Sequence, residues 1–142
     1  MDINMPTVSI SSNAVLESQR RRVSLQVTDW FRENGSDPHH VIVHFHEIPV
    51  MYYFVGGIPM LGKRANTHPV DSDFQWASIL CTVGQHRTRE YLQGLSQFLW
   101  KTLGAEGMIH FVCRFNLVDP RETHYADSGT LVVTEQAEKE LQ

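Results

Sequence analysis

Small polar and β-branched residues alternate through Pro6-Thr-Val-Ser-Ile-Ser11, a period of two that predicts a strand. Ser11-Ser-Asn13 follows as a set of candidate helix N-caps, with Glu17 where the positive end of a helix dipole favours an acid. From Ala14 onward, Val23, Val27, Trp30 and Phe31 recur at three- and four-residue steps, which places them on one face of a helix. Arg20, Arg21 and Arg22 mark its solvated side, and Asn34-Gly35 is a C-terminal stop. After Asp37-Pro38, the alternating run Val41 to Glu47 predicts a second strand, and Tyr52 to Val55 a short extended piece closed by Gly56-Gly57. Residues 58 to 73 have no periodicity and carry Pro59, Gly62, Asn66 and Pro69, so a loop is expected there.

The order then restarts. Phe74 to Val83 is apolar and extended, and Thr88 caps a second helix whose inner stripe is Leu92, Leu95, Leu99 and Leu103. Gly104 stops that helix. Met108 to Leu117 is a strand with Ile109, Phe111, Cys113, Phe115 and Leu117 on one side. Residues 119 to 134 read as a turn-rich tail with a last short strand at 130–134, and 135–142 as a polar, fraying end.

Strand–helix–strand therefore occurs twice, in units of about 5–57 and 74–134 within a single domain over residues 1–142. Each crossover joins a parallel pair. The expected fold is α/β (α+β), a four-stranded sheet with both helices on one face. Nothing in the chain covers the other face, and Val41 with Ile42, and Phe111 with Val112, put hydrophobic residues in both registers. Self-association is the expected remedy.

Composition narrows the function. The 142 residues are 42% hydrophobic, enough for one real core. Twelve Lys and Arg against 16 Asp and Glu give a net charge of -4, which disfavours a broad nucleic-acid surface. No apolar run approaches the ~20 residues of a membrane span. Met1-Asp-Ile-Asn-Met-Pro6 has neither a basic nor an apolar segment of a secretory signal, so a cytoplasmic protein is expected. Cys81 and Cys113 lie in apolar stretches without metal-type spacing and read as buried free thiols. His44 and His46 share one face of a strand, with Glu47 next, but no third ligand is specified and no metal centre is expected. Together with His110 and Arg114 they alternate away from the apolar registers, as residues lining a polar axis of an assembly would.

Five segments, in order, carry a resemblance: Met5-Pro6-Thr-Val, Val43-x-Phe45-x-Glu47-x-Pro49, Phe54-Val-Gly56-Gly57, Arg87-Thr-Arg-Glu90, and Phe115 to Gly129. The chain resembles the tautomerase superfamily (the 4-oxalocrotonate tautomerase and macrophage migration inhibitory factor fold), in particular its two-unit members of the cis-3-chloroacrylic acid dehalogenase type. The resemblance implies a homotrimer with helices outside and sheets inside, no metal, no cofactor, and a small-molecule substrate, a 2-oxo or enol acid. It implies Pro6 as the catalytic group, with Arg87, Tyr53, Phe54, Phe115 and Asp127 binding substrate. The chemistry is coherent: an apolar pocket lowers the pKa of a terminal secondary amine, which then acts as a neutral general base. Arginine holds the carboxylate and stabilises a developing enolate.

Three departures qualify what is inherited. Met1 to Met5 precede Pro6, and in that form its nitrogen is a tertiary amide with no basic lone pair; a free amine requires a start at Met5 and removal of that methionine. Gly84 stands about where dehalogenase-type members carry a second arginine, and Phe31 about where they carry a histidine, which argues against dehalogenation. The expectation is a tautomerase or isomerase using Pro6. Its rival is a catalytically silent trimer of the same fold, acting as a binding or scaffold module.

Overall fold

The computed structural model describes residues 5–60, 73–127 and 129–133. Strand β1 (Thr7–Ser12), helix α1 (Glu17–Glu33) and strand β2 (Ile42–Glu47) make the first crossover. A small hairpin, β3 (Phe54–Val55) and β4 (Ile58–Pro59), follows it. The second crossover is β5 (Trp76–Gly84), helix α2 (Arg89–Thr102) and β6 (His110–Val118), and a hairpin of β7 (His124–Asp127) and β8 (Thr130–Val133) comes last. The four long strands form one mixed sheet in the order β2-β1-β5-β6. Each crossover pair is parallel and the units meet through the antiparallel pair β1–β5, with Val8 opposite Cys81 and Ile10 opposite Ile79.

The core lies between this sheet and the helices. Val8 and Ile10 of β1, with Ala77, Ile79, Cys81 and Val83 of β5, pack under Val23, Val27 and Phe31 of α1 and Leu95 and Leu99 of α2. Burying each of the larger side chains stabilises the fold by about 1.5–3 kcal/mol, and strand alternation delivers them all to one face. Thr88 caps α2 as expected, its hydroxyl accepting from the Tyr91 amide at 3.1 Å, and Gly104 ends the helix at φ 72°. The opposite positions, Ser9, Ser11, His44, His46, Ser78, Leu80 and Arg114, share a face that carries no helix.

Three expectations are corrected. The Ser11–Asn13 segment does not cap α1, which starts after Leu16 with no side-chain cap. Asn13 instead ties the start of β5 to β1. Its Oδ1 accepts from the amides of Gln75 (2.8 Å) and Trp76 (3.3 Å), and its Nδ2 donates to the carbonyl of Asp73. Residues 58 and 59 are not loop: Gly56 and Gly57, both at positive φ, turn the chain so that β4 pairs with β3. The tail contains a strand in β7 as well as the anticipated β8. Most of the predicted 58–73 loop and the fraying end lie outside the described residues.

Both cysteines are free, as expected. Their sulfurs are 3.9 Å apart between β5 and β6. Hydrogen bonding to Cys113, and then burial, pushes the Cys81 thiol up, while the same hydrogen bond draws Cys113 down. No described helix is long and apolar enough to cross a membrane.

Candidate active site

Pro6 sits buried immediately before β1 and is tethered on both sides. Its carbonyl accepts from the Ile42 amide at 2.9 Å, and the carbonyl of Met5 accepts from the Thr7 hydroxyl at 3.1 Å. This end of the sheet gathers the starts of β1 and β2, the ends of β5 and β6, the C-terminus of α1 and the N-terminus of α2.

Among the described residues, three buried side-chain polar atoms lack a hydrogen bond of good geometry in the protein: Ser36 Oγ, His40 Nδ1 and the Tyr91 hydroxyl, the last lying near Ser36 and Arg87. All three belong to segments at this end: Ser36 just past α1, His40 in the 3₁₀ turn leading into β2, and Tyr91 in the first turn of α2. A buried polar group left without a good hydrogen bond costs about 1–3 kcal/mol, so three at one end make that end the candidate site. The Arg87 guanidinium lies over the Tyr91 ring, 4.3 Å from its centre, and the Trp30 ring meets that ring edge-on at 5.1 Å. Burial pushes the Tyr91 hydroxyl above the usual tyrosine range, while Arg87 and Ser36 pull in the other direction. The group stays protonated at neutral pH and is able to donate a hydrogen bond to an oxyanion.

On the other side of β1 a cavity of about 320 Å³ opens beside Met5. Thr7, Thr82, Thr123, His124 and Tyr125 supply its polar groups, and Val83 and Val118 part of its apolar lining. Its size and its few convergent polar groups suit a small organic ligand. The His40 ring lies 5.2 Å from that of Tyr125, one of the residues lining the cavity, tilted at 54° to it. Gly84 contributes to the wall and has no side chain with which to grip an anion. A larger groove of about 500 Å³ runs between the two helices, lined by Arg22, Asp29, Glu33 and Lys101, and of the residues named above it shares only Trp30.

No family model and no curated relative matches the chain by sequence. Solved structures do match by shape. N1, a member of the cis-3-chloroacrylic acid dehalogenase family, superimposes with a TM-score of 0.66 at 16% identity, over 95% of this chain and 89% of that one. Native fused 4-OT matches with a TM-score of 0.65 at 16% identity, over 87% of this chain and 94% of that one. The fold is that of the tautomerase superfamily. A third structure with this shape, Pt0534 inactivated by 2-oxo-3-pentynoate, has a TM-score of 0.59 at 20% identity, over 84% and 92% of the two chains.

Within this tautomerase fold, Pro6 and Arg87 stand at the same end of the sheet; the Arg87 amide donates to the carbonyl of Gly84, a residue of the cavity beside Met5. Tyr53 lies elsewhere. Its ring stacks on Trp76 at 4.5 Å and its hydroxyl is 3.3 Å from His110 Nδ1. Trp76 is next to Ala77, the partner of Ser12, so Tyr53 is about 20 Å from Pro6, six residues at ~3.3 Å each. Phe54 is 55% exposed on the neighbouring hairpin. Phe115 pairs with Cys81 and packs under the helices, two strands from β1. Asp127 ends β7, and its side chain lies outside the described residues. Sequence reasoning missed Ser36, His40, Tyr91, His124 and Tyr125. Only Tyr91 carried a signal: it follows Arg87 by four residues, one helical turn.

Proposed function

We propose that this chain is a cofactor-independent tautomerase acting on a small 2-oxo or enol acid, with Pro6 as general base and Arg87 as carboxylate anchor. One observation carries the reading: the buried Pro6 opens β1 at the end of the sheet where the segments of Arg87, Ser36, His40 and Tyr91 also lie, the last three with buried polar atoms that lack a good hydrogen bond. With a free amine at Pro6, burial disfavours its ammonium form, so the nitrogen accepts a proton from carbon near neutral pH. The same nitrogen then returns the proton to the other end of the enol system, and Arg87 offsets the enolate charge. With a single arginine and the bare Gly84 beside it, a monocarboxylate or aryl-pyruvate suits the site better than a dicarboxylate. The 2-oxo compound that inactivates the similarly folded Pt0534 is of the same chemical class.

Tyr53 and Phe54 stand too far from Pro6 to serve it within one chain, so in this reading they act from a neighbouring copy in a homotrimer. The uncovered sheet face, with Leu80 and Ile42 exposed on it, is where copies would meet. Phe115 and Asp127 keep the weaker role of shaping the substrate pocket.

A second reading has its own observation. Met5 is peptide-bonded to Pro6, which makes that nitrogen an amide, and an amide cannot be the base. A chain that keeps Met5 would be a silent trimer that binds small acids without turning them over. The test is to compare the intact chain with one beginning at Pro6, both checked by mass, in an ultraviolet assay of phenylpyruvate enol–keto conversion. Trimming should raise the rate by ~10²- to 10⁴-fold, and Pro6→Ala should lower it again. An intact chain already fully active, and unchanged by trimming, would overturn the role of Pro6.

A further inference from the structure

The way α1 ends decides where Ser36 sits. Asn34 caps the helix, and Gly35, at φ 98°, turns the chain. The Ser36 amide then donates to the carbonyl of Phe31 at 2.9 Å, and the Gly35 amide to that of Arg32 at 3.2 Å. Together these make the two-bond helix stop that a left-handed residue allows. They fix the Ser36 backbone at the end of α1, whose Trp30 ring packs on the Tyr91 ring of α2. Nothing in the stop uses the serine side chain. Ser36 is only 4% exposed, and its Oγ is closed to water and has no hydrogen bond of good geometry. The Tyr91 hydroxyl lies near it and is in the same condition.

A phenol has one proton to give and two lone pairs with which to receive. Arg87, whose guanidinium lies over the Tyr91 ring, can only donate. Ser36 opposes the upward push of burial on the Tyr91 hydroxyl, as Arg87 does, and a neighbour does so by donating to the phenolic oxygen. With both neighbours as donors, the Tyr91 proton has no acceptor between them and is left to point elsewhere. We propose that Ser36 is a positioning residue: its hydroxyl donates to the Tyr91 oxygen and turns the Tyr91 O–H toward the oxyanion of the substrate. The same donation polarises the phenol and makes its O–H a stronger donor. The role toward substrate rests on the tautomerase reading; the contact between the two hydroxyls does not.

The test uses the chain beginning at Pro6 and the enol–keto assay, with folding of each variant checked by circular dichroism. Ser36→Ala should lower kcat about two- to tenfold, with KM unchanged because Arg87 still holds the carboxylate. In a Tyr91→Phe background the same substitution should cost nothing more, since its effect passes through the phenol. Carbon-13 spectra supply a readout that needs no activity: the Tyr91 Cζ resonance, identified by its loss in Tyr91→Phe, should move in Ser36→Ala. An unmoved resonance would overturn the contact and the proposal with it. A moved resonance, with kcat lowered by Tyr91→Phe but not by Ser36→Ala, would overturn the positioning role and leave the tautomerase reading standing. Losses that add in the double variant, or a lower melting temperature with kcat intact, would mark an ordinary structural serine and overturn it too. A trimmed wild type without activity would overturn the tautomerase reading itself, and the role of Ser36 with it, even where the resonance moves.

Discussion

Replacing Tyr91 with phenylalanine separates a group kept for stability from one kept for chemistry. The change deletes one oxygen and leaves the ring, so Arg87 still has a face to lie over at 4.3 Å and Trp30 still meets its edge. The lost hydroxyl is buried, near enough to Ser36 and Arg87 to be acted on by both but without a hydrogen bond of good geometry, so its removal sheds a desolvation cost of up to about 1–3 kcal/mol while giving up little, and opens almost no cavity. In a chain of this length each 1 kcal/mol moves the melting midpoint by about 2–4 °C. Tyr91→Phe should therefore melt at the same temperature as wild type or up to about 10 °C higher. Burial raises the hydroxyl's pKa in the folded state, so the folded protein holds that proton more tightly than the unfolded chain. The associated stability is fully present below about pH 10 and is lost as pH rises beyond it. Wild type should consequently lose stability more steeply above pH 10 than the variant. In the trimmed chain, losing a hydrogen bond to a charged enolate, about 1.5–3 kcal/mol, should lower kcat about ten- to hundredfold. Thermal denaturation at several pH values and the enol–keto assay read all of this from one protein. A variant at least 1 kcal/mol less stable than wild type, with unchanged kcat, would show that the hydroxyl is an ordinary structural hydrogen-bonding group and would refute the reasoning.

Asn13→Ala should cost about 1–3 kcal/mol in urea unfolding, because it strands the amides of Gln75 and Trp76 at the start of β5; a loss below 0.5 kcal/mol would mean that tie is dispensable. Of the two cysteines, Cys113 should be alkylated first as pH rises, since it ionises more easily while the buried Cys81 keeps its proton; mass mapping that found Cys81 modified first would contradict this.

The helices and the two-faced strands were legible in the chain because period and capping are local. Val23, Val27 and Phe31, or Leu95 and Leu99, reach the core through spacing alone, and the hydroxyl of Thr88 has its best donor three residues away. The same logic failed at Asn13. Its side chain could cap a helix as well as any, but the folded sheet offered two backbone donors more than sixty residues distant, and no local pattern announces them. β4 and β7 were missed for a related reason: each is defined by the strand it pairs with, β3 or β8, rather than by a pattern of its own. The candidate site divides along the same line. Pro6 and Arg87 stand out by position and residue type in an ordered set of segments. Ser36, His40 and Tyr91 are distinguished only by lacking a good hydrogen bond, and that lack is a property of everything packed around a group. Tertiary structure likewise set Tyr53 at the far end of β1 from Pro6 and drew the nitrogens of His44 and His46 together. Sequence could place those two rings on one face of a strand; that their nitrogens come within 3.1 Å is a matter of rotamers that no local pattern fixes.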